Sequence, residues 1–257
     1  MKRIQSCIIA FAMYSKIPMP KVEWTKENMR YSLCFFPLVG VVIAIAFFLW
    51  GYFGKRLAMG STLYTAVLVL IPVIVTGGIH LDGLLDTADA LSSFQSKERR
   101  LEILKDSHAG AFAIIVCCVY FLAYFGAASE LPMEALPIIS LGFVLSRALS
   151  GYAVIAFTSA KTSGLAATFA DRADKKQVGH ILCIQMAGSA IAMILMQPMY
   201  AAAAIVAALL TFLYYRWMSY KKFGGVTGDL AGFFLQICEL CMLVAVVFVA
   251  VFVATVT

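Results

Sequence analysis

Seven runs of some twenty apolar residues, parted by loops that hold almost all of the charge, leave this chain few ways to fold. A helix that crosses the ~30 Å hydrocarbon core needs ~20 largely apolar residues, and all its backbone polar groups must bond within the segment. The runs are 32–53, 63–81, 111–128, 135–157, 181–196, 199–215 and 233–255. With 62% hydrophobic and 13% charged residues, the chain departs from soluble domains, which run near half apolar and a quarter charged. The expected fold is all-α: a polytopic integral membrane bundle of about seven transmembrane helices. The fifth and sixth runs are short and meet at Gln197-Pro198, so six spans plus a re-entrant or interfacial pair is the alternative. No polar linker or repeat divides 1–257, which reads as a single membrane-embedded domain.

Charge sets the orientation. The segments 1–31, 82–110, 158–180 and 216–232 fall on one side and carry 17 of the 20 Lys and Arg residues. Loops rich in Lys and Arg stay in the cytoplasm, so these four are expected there, with the N-terminus. The net charge of +6 does not imply a nucleic-acid partner, because the bases form no stripe interleaved with aromatics. Met1-Lys2-Arg3 and the apolar run after it resemble a signal peptide, but the apolar core of about six residues is shorter than the usual ~7–15. Pro18 and Pro20 between lysines suit a helix at the membrane surface, so 1–31 is expected to be a retained cytoplasmic or interfacial segment. The cysteines lie mostly inside apolar runs, as small buried side chains do.

The acids crowd the same side, although topology does not require it. In Gly77-Gly78-Ile79-His80-Leu81-Asp82-Gly83-Leu84-Leu85-Asp86-Thr87-Ala88-Asp89-Ala90 the aspartates stand at i, i+4 and i+7. On a helix those offsets fall within about 60° of one another. Three carboxylates on one stripe with no compensating lysine between them suit Mg²⁺, which binds a few carboxylates, several waters and substrate phosphates. Asp82, Asp86 and Asp89 are the leading metal candidates, and Asp106 and Asp229 the weaker ones. Asp106-Ser107-His108-Ala109-Gly110 reads either as the cap of the third span or as a substrate contact through Ser107 and His108. His80 is a candidate general base. Arg147, in mid-span, is either the partner of Glu239 or a clamp for phosphate. The turn Gly224-Gly225-Val226-Thr227-Gly228-Asp229 offers backbone to an anion through Gly224, Gly225, Thr227 and Gly228, a weak signal alone.

Taken together, the 77–90 motif, Asp-Ser-His-Ala-Gly at 106–110, Ser146-Arg147, and Gly-Gly-Val-Thr-Gly-Asp at 224–229 with Glu239 resemble the cobalamin synthase family. These are the adenosylcobinamide-GDP ribazoletransferases. The motifs keep the family's order across nearly the whole chain; Ala90 departs from the glycine usual there. The resemblance implies an enzyme that joins adenosylcobinamide-GDP to α-ribazole or its 5′-phosphate, giving adenosylcobalamin or its phosphate and GMP. It implies Mg²⁺, attack by the ribazole 5′-hydroxyl, and a bacterial inner membrane with the site on the cytoplasmic side. The lipid bilayer is then an obligate partner; homo-oligomers and contacts with other pathway enzymes stay open. A CDP-alcohol phosphotransferase is the nearest rival, but its D-G-x-x-A-R pattern fails at Leu85-Asp86. A cation transporter would carry ionisable residues deep in several spans, whereas here only Arg147 and Glu239 are deep.

Overall fold

A computed structural model describes residues 2–57, 59–106, 108–160 and 164–256. Among them the helices are α1 (Lys2–Tyr14), α2 (Lys26–Met29), α3 (Ser32–Gly54), α4 (Ser61–Thr76), α5 (Ile79–Ser92), α6 (Lys97–Ile103), α7 (Ala111–Ser129), α8 (Leu136–Ala156), α9 (Leu165–Arg172), α10 (Lys175–Met196), α11 (Pro198–Phe223) and α12 (Gly228–Val256). The described residues contain no strand, only an isolated parallel bridge between Ser159 and Val226. The chain is a multi-pass helical membrane bundle. Six helices, α3, α7, α8, α10, α11 and α12, are each long and apolar enough to cross a bilayer.

The second run behaves differently from the expectation. It does not continue as one helix over 63–81: α4 stops at Thr76, and α5 leaves it at 94°. The cause is the pair Gly77 and Gly78, both in the left-handed region at φ 64° and 79°, where a Cβ is disfavoured. Their N–H groups close α4 on Ile74 O and Val73 O. With 16 residues, α4 is about 24 Å long, short for a full crossing, so the count is six or, with the bent pair as one span, seven. The fifth and sixth runs depart in the opposite sense. The helices α10 and α11 have 22 and 26 residues because Lys175–His180 and Arg216–Lys222, too polar for the hydrocarbon, continue them beyond it. The bent unit thus lies at α4–α5, not at the Gln197-Pro198 hairpin, where Pro198 simply opens α11 at its first turn.

The helix α8 is the central pillar. Of its apolar window 83% is buried, against 22% for α7 and α10 and 28% for α11 and α12, so α8 meets protein on nearly every side. It packs along α3, α10, α12 and α11. The outer helices turn residues such as Ile114, Leu122, Ile184, Leu195, Leu210 and Leu213 outward, as a surface bathed in lipid requires.

One contact positions the site. The helix α5 crosses the start of α12 at backbone contact: a Cβ on Gly83 would lie 2.5 Å from Asp229 O, and one on Gly232 would lie 3.0 Å from His80 O. Glycine at both positions lets the two acid-bearing segments touch.

Candidate active site

A cavity of about 390 Å³ opens where α1, α3, α5, α8, α9 and α12 converge. Its buried wall includes Leu33, Phe36, His80, Ser150 and Leu235, whereas Asp82 and Ser159 are exposed and Asp229 is half-buried. Burial therefore orients it, with an apolar, aromatic interior and a polar, acidic open end.

The aspartate stripe forms on α5 as its spacing requires, but its members have different surroundings. Asp82 lines the cavity at the exposed end, and Asp86, one turn on, is half-buried. Asp89 is committed to the fold. Its Oδ2 accepts the Gly110 N–H at 2.6 Å and its Oδ1 the Ala113 N–H at 2.8 Å. Gly110 is the cap residue of α7 and has no side chain to satisfy those donors, so Asp89 does so from 21 residues upstream. Asp89→Ala is expected to cost about 1–2 kcal/mol of stability. Thermal unfolding in detergent checks this; unchanged stability with lost turnover would point instead to a ligand role.

Asp106 and His108 stay outside the cavity. They form a local turn in which Asp106 Oδ1 accepts the His108 N–H at 3.0 Å and contacts His108 Nδ1 at 2.8 Å, both side chains being largely exposed. Those bonds, the backbone one first, hold the Asp106 carboxyl below the usual carboxylate range. The third span is therefore capped by Asp89 and not by Asp106; Ser107 lies outside the described residues.

Arg147 is settled by contact. It is fully buried on α8, and its Nη1 donates to Glu239 Oε1 at 2.7 Å and to Phe143 O at 2.9 Å. Ser146 donates to the same carboxylate oxygen at 2.9 Å. Of its two readings the ion pair with Glu239 is the one formed, and Arg147 does not line the cavity.

The glycine-rich turn divides its labour. Gly224 ends α11 in the left-handed region at φ 81°, and Gly225 lies so close to the 158–160 backbone that a Cβ would be 2.7 Å from Ala160 N. Val226 then bonds that segment twice, donating to Thr158 O and accepting from Ala160, each at 2.9 Å. Thr227 caps α12 by accepting the Leu230 N–H at 3.2 Å. Thr227, Gly228 and Asp229 line the cavity; Gly224 and Gly225 do not.

His80 is 4% exposed, and among the described residues its Nε2 has no hydrogen-bond partner. Its ring lies near Tyr14 and Phe36, with centroids 6.2 and 5.7 Å away. The sequence reading missed Tyr14, Phe36 and the α9 wall, which carry no motif. The available signal was the amphipathic 2–14 segment, whose Ser6, Ile9 and Ala10 are buried and so mark a helix that docks on the bundle.

For Mg²⁺, the donor set decides the fit. The described residues hold no group of three or more His, Cys, Asp and Glu side chains disposed to cage a metal. Asp82 and Asp229, the latter packed by its backbone on Gly83 next to Asp82, offer two carboxylates at one open mouth. That set fits an ion that keeps waters and completes its shell with substrate phosphate.

The comparisons agree with one another. The family described as cobalamin-5-phosphate synthase matches residues 6–247. A protein from Lachnoclostridium phytofermentans named adenosylcobinamide-GDP ribazoletransferase is 51% identical, over 96% of this chain and 95% of its own. Proteins of the same name from Clostridium botulinum and Pseudomonas fluorescens are 33% and 30% identical, over 91% and 86% of this chain and 93% and 89% of theirs. No solved structure matches. The acid-mouthed cavity and its glycine crossing are thus those of a chain that belongs to the cobalamin-5-phosphate synthase family.

Proposed function

We propose that the protein transfers the cobinamide phosphate of adenosylcobinamide-GDP to α-ribazole or its 5′-phosphate, releasing GMP. The observation that carries this reading is that Asp82 and Asp229 line the same mouth of a nucleoside-sized cavity, where Gly83 packs on the Asp229 backbone, in a chain with full-length relatives of that name. A hydroxyl oxygen of the acceptor attacks the phosphorus attached to cobinamide, a new P–O bond forms, and GMP departs with the electrons of the broken P–O bond. The hydroxyl proton goes to a carboxylate at the mouth. The attacking hydroxyl differs from the expected one. A 5′-phosphorylated acceptor has no free 5′-hydroxyl, and a cobalamin 5-phosphate product keeps that ester, so another ribose hydroxyl attacks.

Asp82 and Asp229, with Asp86 one turn behind, would hold Mg²⁺, which would supply neutralising charge for the diphosphate. The chain's own contribution is positional. The Gly83–Gly232 crossing fixes the two carboxylates relative to each other, and the stapled 158–160 and 224–228 segments hold the mouth's rim beside Asp229. The excess of Lys and Arg in the flanking loops supports a cytoplasmic mouth, in the inner membrane of a bacterium.

The test is GMP release by purified protein in detergent, given adenosylcobinamide-GDP, α-ribazole 5′-phosphate and Mg²⁺. The expected result is equimolar GMP and corrinoid product, abolished by EDTA. Folded protein that released no GMP yet consumed a CDP-activated lipid would overturn the proposal in favour of a phospholipid phosphotransferase.

A further inference from the structure

We infer that the cavity seats the heterocyclic base of the acceptor nucleoside, rings against Tyr14 and Phe36, with its free ring nitrogen accepting a hydrogen bond from His80 Nε2. The inference rests on the ribazole reading above and adds which substrate enters, which end goes in first, and what recognises it.

Size separates the two substrates. A cavity of about 390 Å³ is at the small end of ligand pockets and suits a nucleoside of about 20 non-hydrogen atoms, whereas the corrinoid donor has roughly a hundred. The donor therefore stays over the mouth, and only a smaller piece enters. Two pieces qualify by size: the acceptor nucleoside and the guanine end of the donor.

The wall chemistry separates those. The interior is formed by Leu33, Phe36, Tyr14, Val154 and Leu235, and among the described residues its fully buried polar atoms without a hydrogen-bond partner are His80 Nε2 and Ser150 Oγ. Guanine carries an amide, an amine and two further acceptors, and most of them would be buried against hydrocarbon at the cost of unmade hydrogen bonds. α-Ribazole is a benzimidazole nucleoside. One of its ring nitrogens is glycosylated, the other is a lone acceptor, and the rest of the ring is apolar. That is one hydrogen bond to satisfy, and a buried histidine N–H satisfies it. Tyr14 and Phe36, with centroids 4.2 Å apart, offer the aromatic surface that a planar ring packs against. With the base inward, the ribose points to the open end, where Thr227, Asp229 and Asp82 lie, and its hydroxyls stand beside the carboxylates. His80 is then a binding residue, and the proton of the attacking hydroxyl is left to the mouth.

The experiment compares two acceptors by GMP release from the full-length protein: benzimidazole riboside 5′-phosphate and the indole analogue, in which the free ring nitrogen is replaced by C–H. The expected result is a KM about tenfold higher for the indole acceptor, with the KM for adenosylcobinamide-GDP unchanged. In His80→Phe, which keeps an aromatic ring but no donor, the benzimidazole KM should rise to the indole value and the preference should vanish. Equal KM values in the wild-type protein would overturn the inference, whether or not the variant folds. A preference that survives in His80→Phe would also overturn it, as would a His80→Phe effect confined to the donor KM, which would put guanine in the cavity. All of these outcomes require GMP release; its absence with both acceptors would instead remove the ribazole reading itself.

Discussion

Asp82→Asn is expected to lower kcat by about 10²–10³-fold and to leave the unfolding temperature nearly unchanged. The magnitude is that of removing one preorganised charge-stabilising group from a reacting phosphate. The substitution keeps the size of the side chain and removes its charge, at an exposed position where surface changes cost within about 0.5 kcal/mol. Because the carboxylate is proposed to hold Mg²⁺, the residual activity should also need more Mg²⁺ for half-saturation. Glu102→Gln, an exposed acid paired with Arg99 on α6, is the charge-matched control and should behave as wild type. Turnover within threefold of wild type for Asp82→Asn would remove that carboxylate from the chemistry.

Glu239→Ala should show the opposite signature, a loss of about 3–5 kcal/mol of stability. Arg147 and Glu239 have side chains 0% and 2% exposed, in the helix most enclosed by protein and in its neighbour. Removing the carboxylate strands a guanidinium where water cannot reach it, and Arg147→Ala strands the carboxylate in the same way. The pair itself is not expected to be strongly favourable, because desolvating both ions offsets most of their attraction. The double variant Arg147→Met/Glu239→Leu should therefore recover most of the stability that either single change removes. The check is a double-mutant cycle of thermal unfolding in detergent. A double variant no more stable than the singles would show that the ions do more than neutralise each other.

The fold and the site were legible in the sequence to different depths. Lipid allows few architectures and strongly penalises unbonded backbone, so the apolar runs fixed the class and order of the spans. The aspartate period likewise placed Asp82, Asp86 and Asp89 on one helix. What each aspartate does was not legible. Asp89 answers donors at Gly110 and Ala113, and nothing in the linear spacing says that a glycine cap lacks its own acceptor in three dimensions. The bend escaped because hydropathy runs unbroken from Leu63 to Leu81, and only the consecutive left-handed glycines record it. Tyr14 and Phe36 escaped for a plainer reason: an aromatic residue in an apolar run looks the same facing lipid, core or cavity.

The bend at Gly77-Gly78 also reverses the sign of the field at Asp82. In a single helix over 63–81, Asp82 would follow the last turn, where the aligned peptide dipoles leave about half a negative charge. A carboxylate there is repelled. Because α4 ends at Thr76 and α5 begins at Ile79, Asp82 lies instead in a first turn, at the positive end of a new macrodipole. The favourable term is about 0.3–1 kcal/mol, and it acts on a carboxylate beside an apolar wall with no lysine between it and Asp86. Two glycines thus turn the end of a membrane helix, a poor place for acid, into the start of one, where an ionised aspartate and an arriving phosphate are both welcome.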